Sequence, residues 1–366
     1  MLVLFQEGIP DVFIPELTRR GMRVVRFPTA VAAAEPVLRQ NAAAEAIFFR
    51  ANFPFNGRTL SLLPRLSLAA LVSTGTDNVD QAAIVDRGVH FTSAEGANAQ
   101  AVFDYVIQAL LLGNFEPAKH SVGIIGTGRV GGRVLRFLNS VGASTAFYDP
   151  FLNPAGSLAD VLQCDYVSFH TPLTPGGVAA VADTTSSVPR PLTHGGAHAT
   201  AGMLNAKYFA GARHGLKVIQ ASRGGIWDRS YYDQLPKSAA VWLLAQDVYP
   251  DEPPAAHDLK MAAYSTPHIA GYSTRGRLGG IVNGIKALLP DFSAAGTMPH
   301  GRAWALENDA ERLSADVTGF SALRDGYAWR KEFHEWDEPE CRKYRQRFGE
   351  LPDAFFDALF SFDGTG

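Results

Sequence analysis

Cysteine is almost missing. Cys164 and Cys341 are the only two in 366 residues. Two cysteines without metal-ligand spacing rule out a disulfide framework, leave no metal expected, and fit a reducing cytoplasm. Excess charge is missing too. With 33 Lys and Arg against 36 Asp and Glu the net charge is −3, so bulk electrostatics suggest neither nucleic acid nor an anionic membrane as partner. No apolar run approaches the roughly 18–20 residues of a membrane span. The best candidate, "AVFDYVIQALLLGNF", carries Asp104. The start, "MLVLFQEGIPDVF", has no basic leader and no small-residue cleavage site, and reads as a first strand rather than a signal peptide.

What is present is alternation. "MLVLF", "MRVVRF", "EAIFF", "LAALVS" and "VHFTS" read as strands, with "VFIPELTRRG" and "VDQAAIVDRG" as amphipathic helices ending at glycine. The long apolar helix "AQAVFDYVIQALLLGNF" follows, and reads as a spine linking two domains. A second series, "SVGIIG", "STAFYD", "YVSFH", "KVIQAS" and "AVWLLAQDV", comes next. Strands and helices at this spacing predict an α/β protein with parallel sheets, and the length predicts two domains. After about residue 295 the chain turns charged and aromatic ("GYAWRKEFHEWDEPECRKYRQRFGE"). That composition fits an appendage that docks or dimerises, or a solvated tail. "PLTPGG" at Pro172 and "PLTHGG" at Pro191 bracket a small, polar stretch. It reads as a slipped duplication that lengthens a mobile surface loop, tolerated at small entropic cost.

The glycine loop is the strongest motif. Gly126-Thr127-Gly128-Arg129-Val130-Gly131 follows an apolar strand and opens a helix, and a second strand ends on Asp149. Gly126 permits the tight turn, Gly128 lets the backbone approach a pyrophosphate, and Gly131 lets helix pack close on strand. The helix N-terminus offers free N–H groups to phosphates. Asp149 can accept from both ribose hydroxyls and would repel a 2′-phosphate, which favours NAD over NADP. Hydride transfer is therefore expected.

Three further groups follow apolar runs of the second series: Arg223 in "VIQASRGGIWD", Asp247 and Glu252 in "LAQDVYPDEPP", and His268 in "YSTPHIAG". Ligands of open parallel sheets bind beyond the carboxyl ends of the strands. A 2-hydroxy acid needs its carboxylate held, which an arginine can do with two hydrogen bonds. It needs a base for the hydroxyl proton, which His268 can be near neutral pH. The base needs an orienting acid, which Glu252 can be. Taken singly, each is equally a loop or surface polar group.

With "GIIGTGRVG", "HTPLT", "ASRGG", "DVYPDEP" and "TPHIAG", the chain resembles the D-isomer-specific 2-hydroxyacid dehydrogenases. "STGTDNVD", "SAEGANAQAVFDYV" and "HIAGYSTRGRLGG" make it similar, within them, to the erythronate-4-phosphate dehydrogenases of vitamin B6 synthesis. The resemblance spans roughly residues 1–295. In the tail, "FSALRDGYAWRKEF" resembles that branch's dimerisation segment. It implies two doubly wound parallel-sheet domains: a Rossmann NAD domain (97–271) and a flavodoxin-like substrate domain (1–96 and 272–294), with a C-terminal appendage (295–366) that makes a homodimer. It implies Arg223, Glu252 and His268 as the catalytic set. Besides the glycine loop it implies NAD contacts from Asp149, Thr171, Asp247 and Gly271. It implies a substrate role for Tyr272 and Ser73, with Arg50 and Asn98 on loops facing the substrate. The reaction implied is oxidation of the small anionic 4-phospho-D-erythronate at C2. The alternatives are a dehydrogenase or reductase acting on another 2-hydroxy or 2-keto acid, and a non-catalytic NAD-sensing scaffold. The chain departs from the pattern at three places. Ala51 stands where that branch has a substrate-contacting serine, Ser73 stands where threonine is usual, and the loop after "HTPLT" is lengthened.

Overall fold

The computed structural model describes residues 1–76, 78–176, 198–235, 241–294, 330–348 and 351–364. The lengthened loop and the first part of the expected appendage lie outside the described residues. The chain separates into two compact units, Met1–Asn98 with Ser273–Gly301, and Ala99–Tyr272 with Arg302–Gly366.

The first unit is a five-stranded parallel sheet in the order β2-β1-β3-β4-β5. Its strands are β1 (Leu2–Gln6), β2 (Arg23–Phe27), β3 (Ala46–Phe49), β4 (Leu68–Leu71) and β5 (His90–Ser93). Helices α1 (Ile14–Arg19), α2 (Val31–Gln40), α3 (Gly57–Ser61) and α4 (Gln81–Asp86) make the crossovers. Every residue of β3 and β4 is buried, as expected of central strands covered on both faces. Phe5 stacks on Phe48 and Phe49 on Phe55, with ring centroids 4.3 and 4.5 Å apart. Such a ring contributes about 1.5–3 kcal/mol by leaving water. The order 2-1-3-4-5 is the flavodoxin-like one, and it places a switch point between β1 and β3.

The second unit is a six-stranded parallel sheet in the order β11-β10-β9-β8-β6-β7. It begins with helix α5 (Ala99–Leu112). The strands are β6 (Ser121–Ile125), β7 (Ser144–Tyr148), β8 (Tyr166–Phe169), β9 (Leu216–Gln220), β10 (Val241–Gln246) and β11 (Tyr264–Ser265). Helices α6 (Arg129–Ser140), α7 (Leu158–Leu162) and α8 (Arg229–Tyr232) lie between strands, and α9 (Thr274–Leu288) returns to the first unit. The strand order reverses between β6 and β8, so the carboxyl ends of these two strands flank a crevice. Each apolar run read as a strand forms one. The two-residue β11 was too short to announce itself.

The described part of the tail is docked, not solvated. Helices α10 (Glu338–Arg347) and α11 (Asp353–Ser361) pack on the second unit. Phe355 and Phe362 meet Phe137 edge-on, each with centroids 5.5 Å apart. The reason lies in α5. That helix buries Gln100, Asp104 and Gln108, four residues apart, among apolar neighbours, and buried polar groups need partners. The tail supplies two. Phe333 N–H donates to Asp104 Oδ2 at 2.9 Å, and Gln100 Nε2 donates to Phe362 O at 3.0 Å. Burial, with Glu332 nearby, pushes the Asp104 carboxyl well above its ordinary range. A carboxyl raised in the folded state stabilises the fold fully below its unfolded pKa of about 4. It loses that contribution as pH rises toward the folded value, by roughly 1.4 kcal/mol for each pH step of one. Asp104→Asn removes the titration. Its unfolding free energy, followed by denaturant titration from pH 4 to 7, is expected to fall less steeply than that of the parent.

Candidate active site

The glycine loop is built at the switch point of the second sheet. Gly126 ends β6 with φ +84°, a left-handed conformation that glycine adopts at no steric cost. A Cβ there would lie 2.9 Å from His170 O, at the end of β8. At Gly131 a Cβ would lie 1.9 Å from Gly126 O, so helix and loop touch backbone to backbone. Gly128 caps α6 without a side-chain bond. The first N–H groups of α6 receive no side-chain cap from Gly128 and carry the helix's partial positive charge, which suits an anion.

Asp149, read as a ribose acceptor, also has a structural task. Its carboxylate is buried and accepts four hydrogen bonds. Thr127 donates through N–H (2.7 Å) and hydroxyl (3.2 Å), and Phe151 N–H (3.0 Å) and Leu152 N–H (2.9 Å) complete the set. It ties the glycine loop to the turn after β7. Beside the loop, burial holds the His170 imidazole neutral, its pKa pushed down to about 3. Thr171 Oγ1 is buried with no partner among the described residues. An orphan hydroxyl next to a glycine cradle and an uncapped helix end suits a dinucleotide.

Arg223 follows β9. Its Nη1 donates to Ser222 O at 2.9 Å, and the turn is held by the buried Gln220, which accepts from Ser222 N–H (3.0 Å) and hydroxyl (2.9 Å). Gly224 is required because a Cβ would lie 1.6 Å from Tyr249 O.

Asp247 follows β10 and is wholly buried. Its carboxylate accepts from Thr266 Oγ1 (2.6 Å), Ile269 N–H (2.7 Å) and Ala270 N–H (2.8 Å). Burial pushes its pKa up, opposed by His268 and these bonds. The 266–270 loop is thereby wrapped around one acid. His268 sits in it at φ +57°, a conformation that costs a residue with a Cβ on the order of 1–3 kcal/mol. Its Nδ1 lies 2.8 Å from Glu252 Oε2. An ionised carboxylate is acceptor only, so opposite one Nδ1 is the donor. That leaves Nε2 as the nitrogen that can take a proton on the neutral ring's other side, the arrangement of a base with its orienter. Gly271 and Tyr272 follow directly, with Tyr272 N–H donating to Ile269 O at 2.8 Å.

The remaining residues lie in the first unit, at its strand ends. Arg50 follows β3, and its N–H donates to Gln6 Oε1 at 2.7 Å. Gln6 also donates to Thr29 Oγ1 (3.1 Å) and Asn52 Oδ1 (3.0 Å). Ser73 follows β4, where its Oγ accepts from Ala51 N–H at 2.8 Å. Asn98 Nδ2 donates to Thr74 Oγ1 at 3.3 Å. The structure thus joins His268 to Glu252, Asp247 to the His268 loop, Asp149 to the glycine loop, and Ser73 to the Arg50–Ala51 segment. The residues that sequence reasoning missed are Gln6, Gln220 and Gln246, all fully buried. The signal was present: in "LVLFQ", "KVIQ" and "LLAQ" an apolar strand ends on glutamine.

A family model described as "D-isomer specific 2-hydroxyacid dehydrogenase, catalytic domain" matches residues 3–317. The chain is 33% identical over 280 residues to an erythronate-4-phosphate dehydrogenase of Tolumonas auensis, covering 74% of this chain and 69% of that one. A second, from Teredinibacter turnerae, is 31% identical over 311 residues, covering 74% and 79%. Among solved structures, an NAD+-bound 3-phosphoglycerate dehydrogenase from Entamoeba histolytica shares the fold. Its TM-score is 0.60 at 17% identity, with 78% of this chain and 94% of that one covered. Among the described residues no helix is long and apolar enough to cross a membrane.

Gly131→Ala drives a methyl into Gly126 O. It is expected to destabilise by about 1–3 kcal/mol, read by denaturant unfolding. Gly132→Ala, whose Cβ would meet Thr127 O at 3.0 Å, is expected to cost less.

Proposed function

The chain belongs to the D-isomer-specific 2-hydroxyacid dehydrogenase family, and on that premise we propose that it oxidises 4-phospho-D-erythronate at C2 to the 2-oxo acid, with NAD as hydride acceptor. The observation that carries the reading is the 2.8 Å pair of His268 Nδ1 and Glu252 Oε2, set in a loop that also bears Tyr272. Arg223 holds the substrate carboxylate through its planar guanidinium. His268 Nε2 takes the proton of the C2 hydroxyl, while Glu252 keeps Nδ1 protonated and stabilises the imidazolium that forms. NAD bound at the glycine loop would supply the acceptor for the hydride that C2 gives up as its C–O bond becomes a carbonyl.

The glycine loop from Gly126 to Gly131 and the Thr171 hydroxyl fit the dinucleotide. Asp149 after β7 would disfavour a 2′-phosphate. Gly271 would contact the dinucleotide directly, and Asp247, being buried, would act on it through the loop its carboxylate holds. Tyr272 in the second unit and Arg50, Ser73 and Asn98 in the first are the proposed substrate-binding residues. A homodimer in the cytoplasm is part of the same proposal, supported by the tail's resemblance to a dimerisation segment and by two buried, free cysteines.

A second reading, a dehydrogenase for a different 2-hydroxy acid, is favoured by Ala51, where the resembled branch has a serine. An NAD-sensing scaffold without turnover is disfavoured by the oriented His268.

The test is NADH formation from 4-phospho-D-erythronate beside D-glycerate, D-lactate and 3-phosphoglycerate, with a 2-keto acid in a parallel assay to recycle bound cofactor. Selective turnover of the erythronate phosphate is expected. Turnover of another acid only would transfer the assignment to the second reading, and NAD binding with no turnover would transfer it to the scaffold. His268→Asn is expected to lower kcat by about 10²-fold or more. Unchanged kcat would overturn the mechanism.

A further inference from the structure

The C-terminal segment buries two charged side chains in the second unit, Arg330 and Glu332, and Arg330 reaches the loop that carries His268. Arg330 is among the largest side chains buried there, 1% exposed. Its Nη2 donates to Ala101 O at 2.8 Å, in the first turn of α5, and also to Ala270 O. Ala270 lies two residues after His268 and two before Tyr272. Its own N–H donates to Asp247 Oδ2 at 2.8 Å. Ala270 is therefore held at both ends, by a buried carboxylate at its donor and a buried guanidinium at its acceptor.

Other bonds hold this loop as well, among them Tyr272 N–H to Ile269 O at 2.8 Å. Tyr105 OH and Tyr249 OH fix Thr266, at 3.1 and 2.9 Å, on the other side of His268. The hydrogen bonds that Asp247 accepts reach Ala270 from its N–H side. The short stretch of backbone that sets the aim of the His268 ring, the path of Gly271 and the start of Tyr272 is closed by Arg330, a residue far downstream and beyond the part of the chain the family model matches.

We propose that Arg330 is a positioning residue for the reaction. By clamping the Ala270 carbonyl to α5, it holds the His268–Tyr272 loop in its working shape, and the C-terminal segment thereby completes the active site. The proposal rests on the reading of His268 as the base. It differs from a purely structural role in predicting a local effect, because the glycine loop is held independently by Asp149. A small displacement of a catalytic group lowers turnover steeply, about tenfold to a hundredfold for shifts near 1 Å.

The test uses the full chain with Arg330→Met and Arg330→Lys. It reads kcat and KM, the Kd for ADP-ribose (which lacks the nicotinamide), and hydrogen–deuterium exchange of peptides covering 266–272 and 122–132. For Arg330→Met, kcat falls by about tenfold or more with ADP-ribose binding at the parent value. Exchange accelerates in 266–272 and not in 122–132. Arg330→Lys, which keeps a donor, recovers part of both. A folded Arg330→Met with parent kcat and parent exchange would overturn the proposal. So would loss of ADP-ribose binding together with faster exchange in 122–132, the mark of a general loosening. Should Arg330→Met not fold, Arg330→Lys decides: selective acceleration of 266–272 supports the clamp, and parent behaviour in both readouts sinks it. If the parent protein turns over no 2-hydroxy acid, the proposed function fails by itself, while the exchange comparison still decides the role of Arg330.

Discussion

Two buried carboxylates, each satisfied by N–H and O–H donors, hold in place two loops at the carboxyl ends of the second unit's strands. Asp149 gathers the glycine loop and the turn after β7; Asp247 gathers the loop that presents His268. A buried charge is tolerable only when its lone pairs are met. Here the donors come from loops that have no ladder of their own. The acid is what allows an irregular backbone to be rigid at the carboxyl end of a sheet. Glutamine repeats the device without charge: Gln6, Gln220 and Gln246 close β1, β9 and β10. The amides of Gln220 and Gln246 bind the segments that follow, and that of Gln6 binds Thr29 after β2 and Arg50 and Asn52 after β3. Apolar residues at these positions would pack as well and would leave the next turn unheld.

The contrast between Asp247 and Glu252 separates structure from chemistry within one loop system. Asp247 is sealed and takes all its bonds from the backbone and Thr266. The Glu252 side chain is 24% exposed and that of its partner His268 is 41% exposed. A pair proposed to shuttle a proton benefits from access to water, whereas an acid that fixes geometry loses by it. The left-handed backbone at His268 belongs to the same division of labour. Its local cost is offset by bonds to Thr266, Ile269 and Ala270 on either side, and a strained residue so enclosed has one shape.

Much of this was legible in the chain. Buried parallel strands read as continuous apolar runs, so "AIFF", "VGII" and "YVSF" could be placed by composition. The glycine loop was legible because strand, turn and helix surround it in the right order. The pairing of His268 with Glu252 was expected from chemistry, since a base near neutral pH needs an orienter. What escaped was set by contacts between residues distant in sequence. The second task of Asp149 depends on where Thr127, 22 residues earlier, arrives, and no local pattern encodes that. The docking of the tail depends on α5. There the spacing of Gln100, Asp104 and Gln108 signals a polar stripe, but not which segment covers it. β11 was invisible because two residues carry no period.

The substrate is decided by chemistry of a different kind from the reaction. In the proposed reaction, proton and hydride transfer need only Arg223, Glu252, His268 and the dinucleotide loop, all in the second unit. Any 2-hydroxy acid satisfies them. Discrimination among such acids falls to polar groups that meet the rest of the molecule, and in the first unit these are few. A serine hydroxyl is absent at Ala51, and the neighbouring hydroxyl, Ser73 Oγ, already accepts the Ala51 N–H. Ser73 therefore keeps its own proton to donate and one lone pair to accept with. A site built to hydrogen-bond a substrate group rejects analogues lacking it by about 10⁴–10⁵-fold, whereas a site lacking one such contact cannot. The Ala51–Ser73 pair thus marks where this chain's specificity can part from that of its relatives while its mechanism stays the same. On the proposed function, Ala51→Ser is expected to shift the ratio of kcat/KM between 2-hydroxy acids without touching the base, the orienter or the cofactor loop.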